Sequence, residues 1–140
     1  PTQREHNMAT VKQFEDLGVW QDARALVKDI YATSKQRDFY RDIGLREQIR
    51  RAATSTMSNI AEGFERGTRK EFIQFLNIAK GSVGEARSQL YVALDQEYLS
   101  QTRFNELKEM ALAQSRRIAT FIAYLEKYPN NSRVRKPTKR

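Results

Sequence analysis

The chain has 140 residues, 39% hydrophobic and 30% charged, with three prolines, six glycines and no cysteine. That suits one domain with a real core, and it excludes disulfides, thiolate metal sites, iron–sulfur clusters and cysteine nucleophiles. No apolar run nears the roughly 20 residues that span a bilayer, and no charged-then-apolar leader opens the chain. One histidine, His6, leaves little material for imidazole chemistry. The expectation is a cytoplasmic protein with no membrane attachment, no metal and no cofactor.

Residues 1–16 form a lead-in containing Phe14. Met8-Ala9 has the look of a natural start, so residues 1–7 are set aside. Val19, Ala23, Leu26, Val27, Ile30 and Tyr31 then recur at helical spacing, flanked by Trp20. A polar stretch, TSKQRDFYRD, follows before Gly44. The second segment places Leu45, Ile49, Ala52, Ala53, Thr56, Ile60 and Phe64 on one face, and Gly67 is placed to end it. Thr68 and Glu71 have capping-box spacing. The third helix carries Phe72, Phe75, Leu76, Ala79, Val83, Ala86, Leu90, Ala93 and Leu94, ending near Glu97. The fourth runs through Phe104, Leu107, Ala111, Ile118, Ile122 and Leu125 to Pro129, which cannot continue it. At about 1.5 Å per residue the last two are roughly 40 Å long. Long amphipathic helices on short connections become antiparallel neighbours. The fold class is therefore all-α, an up-down four-helix bundle over residues 17–128, with a disordered basic tail from 129 to 140.

The second helix has an unusual outer face. Arg51, Ser55, Ser58 and Glu62 form a stripe opposite the apolar one, and small residues surround it. Small side chains let another backbone approach, so this helix is expected to pack on two faces, one toward a neighbouring subunit. The alternative is ordinary solvent exposure. Gly81 and Gly84 inside the third helix cost about 1 kcal/mol each, which a close helix–helix approach would offset. Asn59, Ser82 and Glu85 are candidates for an interhelical polar cluster, with Gln48, Arg50 or Arg51 as partners.

Charge is unevenly placed. The tail carries Arg133, Arg135, Lys136, Lys139 and Arg140 and no acid, residues 17–70 hold eleven basic and seven acidic groups, and residues 71–128 hold seven of each. The tail reads either as solubilising or as an arm for polyanions. Arg46, Arg50, Arg51, Arg66, Arg69 and Lys70 extend the basic character along and beyond the second helix. Tyr31, Phe72, Phe75 and Phe104 fall at core spacing, whereas Tyr40, Tyr124 and Tyr128 are less committed.

Three linked blocks carry a family resemblance: Leu45, Gln48, Arg51 and Ala52; Asn59 to Gly63; and Ala79, Gly81, Ser82 and Glu85. In order and spacing they resemble the bacterial four-helix-bundle family of 23S ribosomal RNA intervening-sequence proteins, over roughly residues 11–127. Thr56 and Met57 depart from it, standing where the family more often has isoleucine and a small residue or proline. The resemblance implies homo-oligomers, typically a ring of five bundles. It also implies kinship with accessory variability proteins of diversity-generating retroelements, which bind nucleic acid and a reverse transcriptase. Many members of the family itself have no assigned role.

Three readings of function follow. The first is a nucleic-acid-binding homo-oligomer that contacts RNA or DNA through phosphates. The second is an interaction scaffold for a partner enzyme, for which a reverse transcriptase is one candidate. The third is a metal-dependent nuclease. Its carboxylates would be Glu62, Glu65, Glu71 and Glu85, but no Glu-x-x-His pair accompanies them, and Arg66 and Arg69 stand beside them. A non-enzymatic role is expected.

Overall fold

The computed structural model describes residues 11–128. A short 3₁₀ turn, Phe14–Asp16, leads into five helices: α1 Gly18–Thr33, α2 Arg37–Arg41, α3 Ile43–Glu65, α4 Arg69–Asp95 and α5 Gln101–Lys127. No strand occurs among the described residues. The four long helices form the expected bundle: α3 packs on α4, α4 on α5, and α1 on both α3 and α5. The tail and Pro129 lie outside the described residues.

Side-chain oxygens start four of the helices. Gln36 accepts the Phe39 N–H at 2.9 Å, Asp42 that of Leu45 at 3.1 Å, Thr68 that of Glu71 at 3.2 Å and Ser100 that of Arg103 at 3.0 Å. Each such cap satisfies a donor that the helix cannot, worth about 1 kcal/mol. Thr68 caps as its spacing predicts. The Glu71 carboxylate, however, accepts the Thr68 hydroxyl at 2.9 Å and pairs with Arg66, in place of the backbone contact of a full capping box. Gly67 ends α3 at φ 87°, a left-handed conformation that glycine adopts without strain. After α4 that position is taken by Glu97 at φ 62°. Its N–H bonds to Leu94 O and that of Tyr98 to Ala93 O, both at 2.9 Å, which makes a Schellman turn.

The polar stretch after α1 contains α2, which the sequence pattern does not show. Five residues are too short for periodicity, and one buried side chain, Phe39, holds the turn in place by stacking on Tyr98 with ring centroids 5.4 Å apart.

The core has two groups of side chains along the bundle. One gathers Leu17, Trp20, Ile60, Phe72, Leu76, Val83, Ile118 and Phe121, and the other Leu26, Ile30, Phe39, Ile49, Leu90, Phe104 and Leu107. Ala52, Thr56 and Ala86 are buried at intermediate positions along α3 and α4. Burying a side chain of leucine or phenylalanine size contributes about 1.5–3 kcal/mol. Gln114, also buried, donates to the Val19 carbonyl at 2.9 Å and ties α5 to the start of α1.

α3 and α4 approach each other closely at Gly63. A Cβ there would lie 2.7 Å from Phe75 Cβ and 3.0 Å from Phe72 Cδ1. At Gly81 and Gly84 no such approach occurs among the described residues: apart from α4's own backbone, nothing stands within 4 Å of a Cβ built at either.

Candidate nucleic-acid interface and the α3–α4 seam

The polar residues of α3 and α4 meet along one seam. Ser55 Oγ and Ser82 Oγ are 3.0 Å apart, and Asn59 Nδ2 donates to the Ser55 carbonyl at 2.8 Å and to its hydroxyl at 3.0 Å. Two turns along, Gln89 Nε2 lies 3.4 Å from Gln48 Oε1 and 3.5 Å from Glu85 Oε2. Gln48, Arg51, Ala52, Ser55 and Glu85 line a small cavity of about 160 Å³ beside it. Asn59, Ser82 and Glu85 are thus brought to one interhelical cluster, as the sequence suggested, with Gln48 and Arg51 beside them. Gln89 was missed because it stands at a core-like position on α4 and belongs to no quoted block.

Of the two places the sequence allowed for Ser55, the interhelical cluster is the one seen within the chain, since its hydroxyl meets Ser82 of α4. Every helix of a four-helix bundle has two neighbours, so the packed arc of α3 is wider than its apolar stripe, and Ser55 belongs to the part that meets α4. Arg51, Ser58 and Glu62 do remain exposed. Of the three partners offered for the cluster, Gln48 and Arg51 stand beside it and Arg50 does not. Its Nε donates to Ser34 Oγ at 2.8 Å, on the side of α3 that faces α1.

The basic residues divide into two kinds. Arg46 is largely covered, with 14% of its side chain exposed. Its Nη1 donates to the Tyr40 carbonyl at 2.7 Å, and its guanidinium lies 4.2 Å from the Tyr40 ring centroid and pairs with Glu47 at 3.3 Å. The Arg50 guanidinium sits 4.3 Å from the Tyr31 ring and 5.7 Å from that of Tyr40. Arg66 pairs with Glu62 at 3.0 Å and Glu71 at 3.4 Å, and lies over the Phe75 ring. These three arginines have partners within the chain. Arg51 and Lys70 are exposed, and Arg69 is half-buried. Arg133, Arg135, Lys136, Lys139 and Arg140 lie outside the described residues.

Tyr31 departs from its core assignment: it stands at the rim of α1, 36% exposed, against the Arg50 guanidinium. Phe75 is half-buried, while Phe72 and Phe104 are core. At the same end of the bundle, Thr33, Gln36, Tyr98, Ser100 and Arg103 border an open depression of about 750 Å³. Arg103 is held there by Thr33 Oγ1 at 3.2 Å and Glu106 at 3.0 Å. No spacing rule exposes this depression, because it forms where two connections meet.

Among the described residues no group of three His, Cys, Asp or Glu side chains is placed to hold a metal ion, and no helix is long and apolar enough to cross a membrane. No functionally curated protein matches the chain. A protein of unknown function from the S23 ribosomal protein family of Bacteroides thetaiotaomicron is similar in structure. Its TM-score is 0.68 at 21% identity, covering 74% of this chain and 97% of that one, which shows a shared fold. The family described as 23S rRNA-intervening sequence protein matches residues 15–120. The chain belongs to that family.

Proposed function

We propose that the protein is a non-enzymatic, homo-oligomeric nucleic-acid-binding protein that contacts RNA or DNA through their phosphates. The observation that carries this reading is the placement of charge. Residues 17–68, with α1, α2 and α3, and residues 69–128, with α4 and α5, each hold nine basic and seven acidic groups, so what matters is where the cations stand: in the first half several gather on α2 and its flanks, where α3 packs on α1 and carries α2. Lys28, Lys35, Arg37, Arg41 and Arg51 are all exposed on that half. Such a group of exposed cations attracts polyanions by counterion release and needs no base readout.

Self-association is supported by the outer face of α4. Ile78 and Val92 are 52% and 45% exposed, and between them Gly81 and Gly84 present bare backbone. A ring of five, a reverse transcriptase as partner and a cytoplasmic site of action are the finer parts of the proposal. They rest on the resemblance and the composition.

The test is a titration of labelled structured RNA and a matched DNA duplex with the full chain, from about 50 to about 300 mM salt. Binding that persists near physiological salt, and weakens when residues 129–140 are deleted, supports the reading. Binding lost by about 150 mM salt with no preference between the two overturns it. The exposed face of α4 then becomes the place to look for a protein partner.

A further inference from the structure

We infer that the end of the bundle formed by α1, α2 and α3 binds unpaired nucleotides, with Tyr31 and Tyr40 as base-stacking platforms. The inference rests on the nucleic-acid reading above and names the substrate class and the place of contact.

Tyr31 and Tyr40 are two aromatic side chains held open at the surface by arginines beneath them. Tyr40 is 48% exposed and Tyr31 36%. An aromatic ring at a helix rim ordinarily folds down onto apolar neighbours. Here the Arg50 guanidinium lies against both rings and the Arg46 guanidinium against Tyr40. Both arginines are themselves anchored, Arg50 by Ser34, a buried residue, and Arg46 by the Tyr40 carbonyl. Cation–π contact therefore fixes each ring through the side the guanidinium meets, while the side chains stay exposed. A preset ring costs less to immobilise when a base stacks on it than a freely turning one.

The surrounding charge fits the backbone of the same ligand. Arg37, Tyr40 and Arg41 lie at i, i+3 and i+4 on α2, so they share one face. Lys28 and Tyr31 stand three apart on α1. Lys28, Lys35, Arg37 and Arg41 are exposed and form no ion pair among the described residues. Of the nearby carboxylates, Asp42 is engaged by the Leu45 N–H and the Tyr98 hydroxyl and Glu47 by Arg46, while Asp38 is exposed. Aromatic faces interleaved with unpaired cations suit a single strand, whose bases are free to stack while its phosphates reach the cations. A duplex offers phosphates but keeps its base faces stacked, so it would use the cations and leave the rings idle.

The test compares the full chain with Tyr31→Ala, Tyr40→Ala and the corresponding Phe variants, on a single-stranded RNA, a single-stranded DNA and a duplex of equal length at about 150 mM salt. Each alanine variant is expected to lose about tenfold in affinity for the single strands and less than about twofold for the duplex, with both Phe variants near wild type. The two single strands tell whether the ribose 2′-hydroxyl contributes. A 4-thiouridine-containing single strand, crosslinked to the wild-type chain and mapped by mass spectrometry, is expected to attach at Tyr31, Tyr40 or their immediate neighbours; this arm does not depend on the variants folding. If duplex and single strands bind alike, the alanine variants change nothing and crosslinks map elsewhere, the stacking site is overturned while the nucleic-acid reading stands. If the wild-type chain binds none of the three probes, both fall together.

Discussion

The Tyr98 hydroxyl donates to Asp42 Oδ2 at 2.8 Å, while Asp42 Oδ1 accepts the Leu45 N–H at 3.1 Å. One carboxylate thus caps α3 and fastens the connection after α4 to it, across 56 residues of sequence. The hydrogen bond to Asp42 raises the Tyr98 pKa above its ordinary value, helped by burial and by the charges of Asp42 and Asp38. A phenol whose pKa is raised on folding contributes stability that is fully present below the unfolded pKa of about 10. That contribution is lost as pH rises through the folded value. The melting temperature of the wild-type chain is expected to fall more steeply above about pH 10 than that of Tyr98→Phe, measured by circular dichroism across pH. Equal slopes would disprove the coupling.

The glycines of α3 and α4 are expected to respond in opposite directions. Gly63→Ala drives a Cβ into Phe72 and Phe75 and is expected to destabilise by about 1–3 kcal/mol, the usual range for overpacking. Gly81→Ala meets nothing within the chain and is expected to gain up to about 1 kcal/mol from helix propensity. Denaturant unfolding of the two variants separates them by sign.

Ser55 and Ser58 are three residues apart on α3 but belong to different surfaces. Ser55→Arg removes the contacts to Ser82 and Asn59 and forces a guanidinium into the seam, at an expected cost of about 1–3 kcal/mol. Ser58→Arg projects from an exposed position and is expected to change stability by less than about 0.5 kcal/mol. If that outer face joins subunits, Ser58→Arg also lowers the molar mass seen by light scattering. A destabilised Ser58→Arg monomer would contradict the exposure of this face.

Glu97 holds a left-handed backbone at the end of α4 where glycine is the favoured residue. Glu97→Gly relieves that strain, less the entropy glycine loses on folding, for a net gain of about 0.5–1 kcal/mol. A rise of a few degrees in melting temperature is the expected reading. An unchanged or lowered value would mean that the Glu97 side chain contributes contacts that offset the strain.

The helices, their apolar faces and most of their ends are legible in the order of the residues alone. A 3.6-residue repeat sustained over 16 to 27 residues has no competing reading, and Gly67 and Thr68 mark their boundary by local chemistry alone. The family is legible in the same way, since three blocks of fixed spacing lie on two consecutive helices. What each face meets depends on how the helices pack. Periodicity states that Ser55, Tyr31 and Gly81 lie at certain angles around a helix, but not which neighbour stands there. Ser55 turned inward because α4 packs beside α3, and Tyr31 stayed outward because Arg50 occupies the space beneath its ring. The α2 turn and the Asp42–Tyr98 link depend on residues distant in sequence arriving together, which is a property of packing and leaves no mark in spacing.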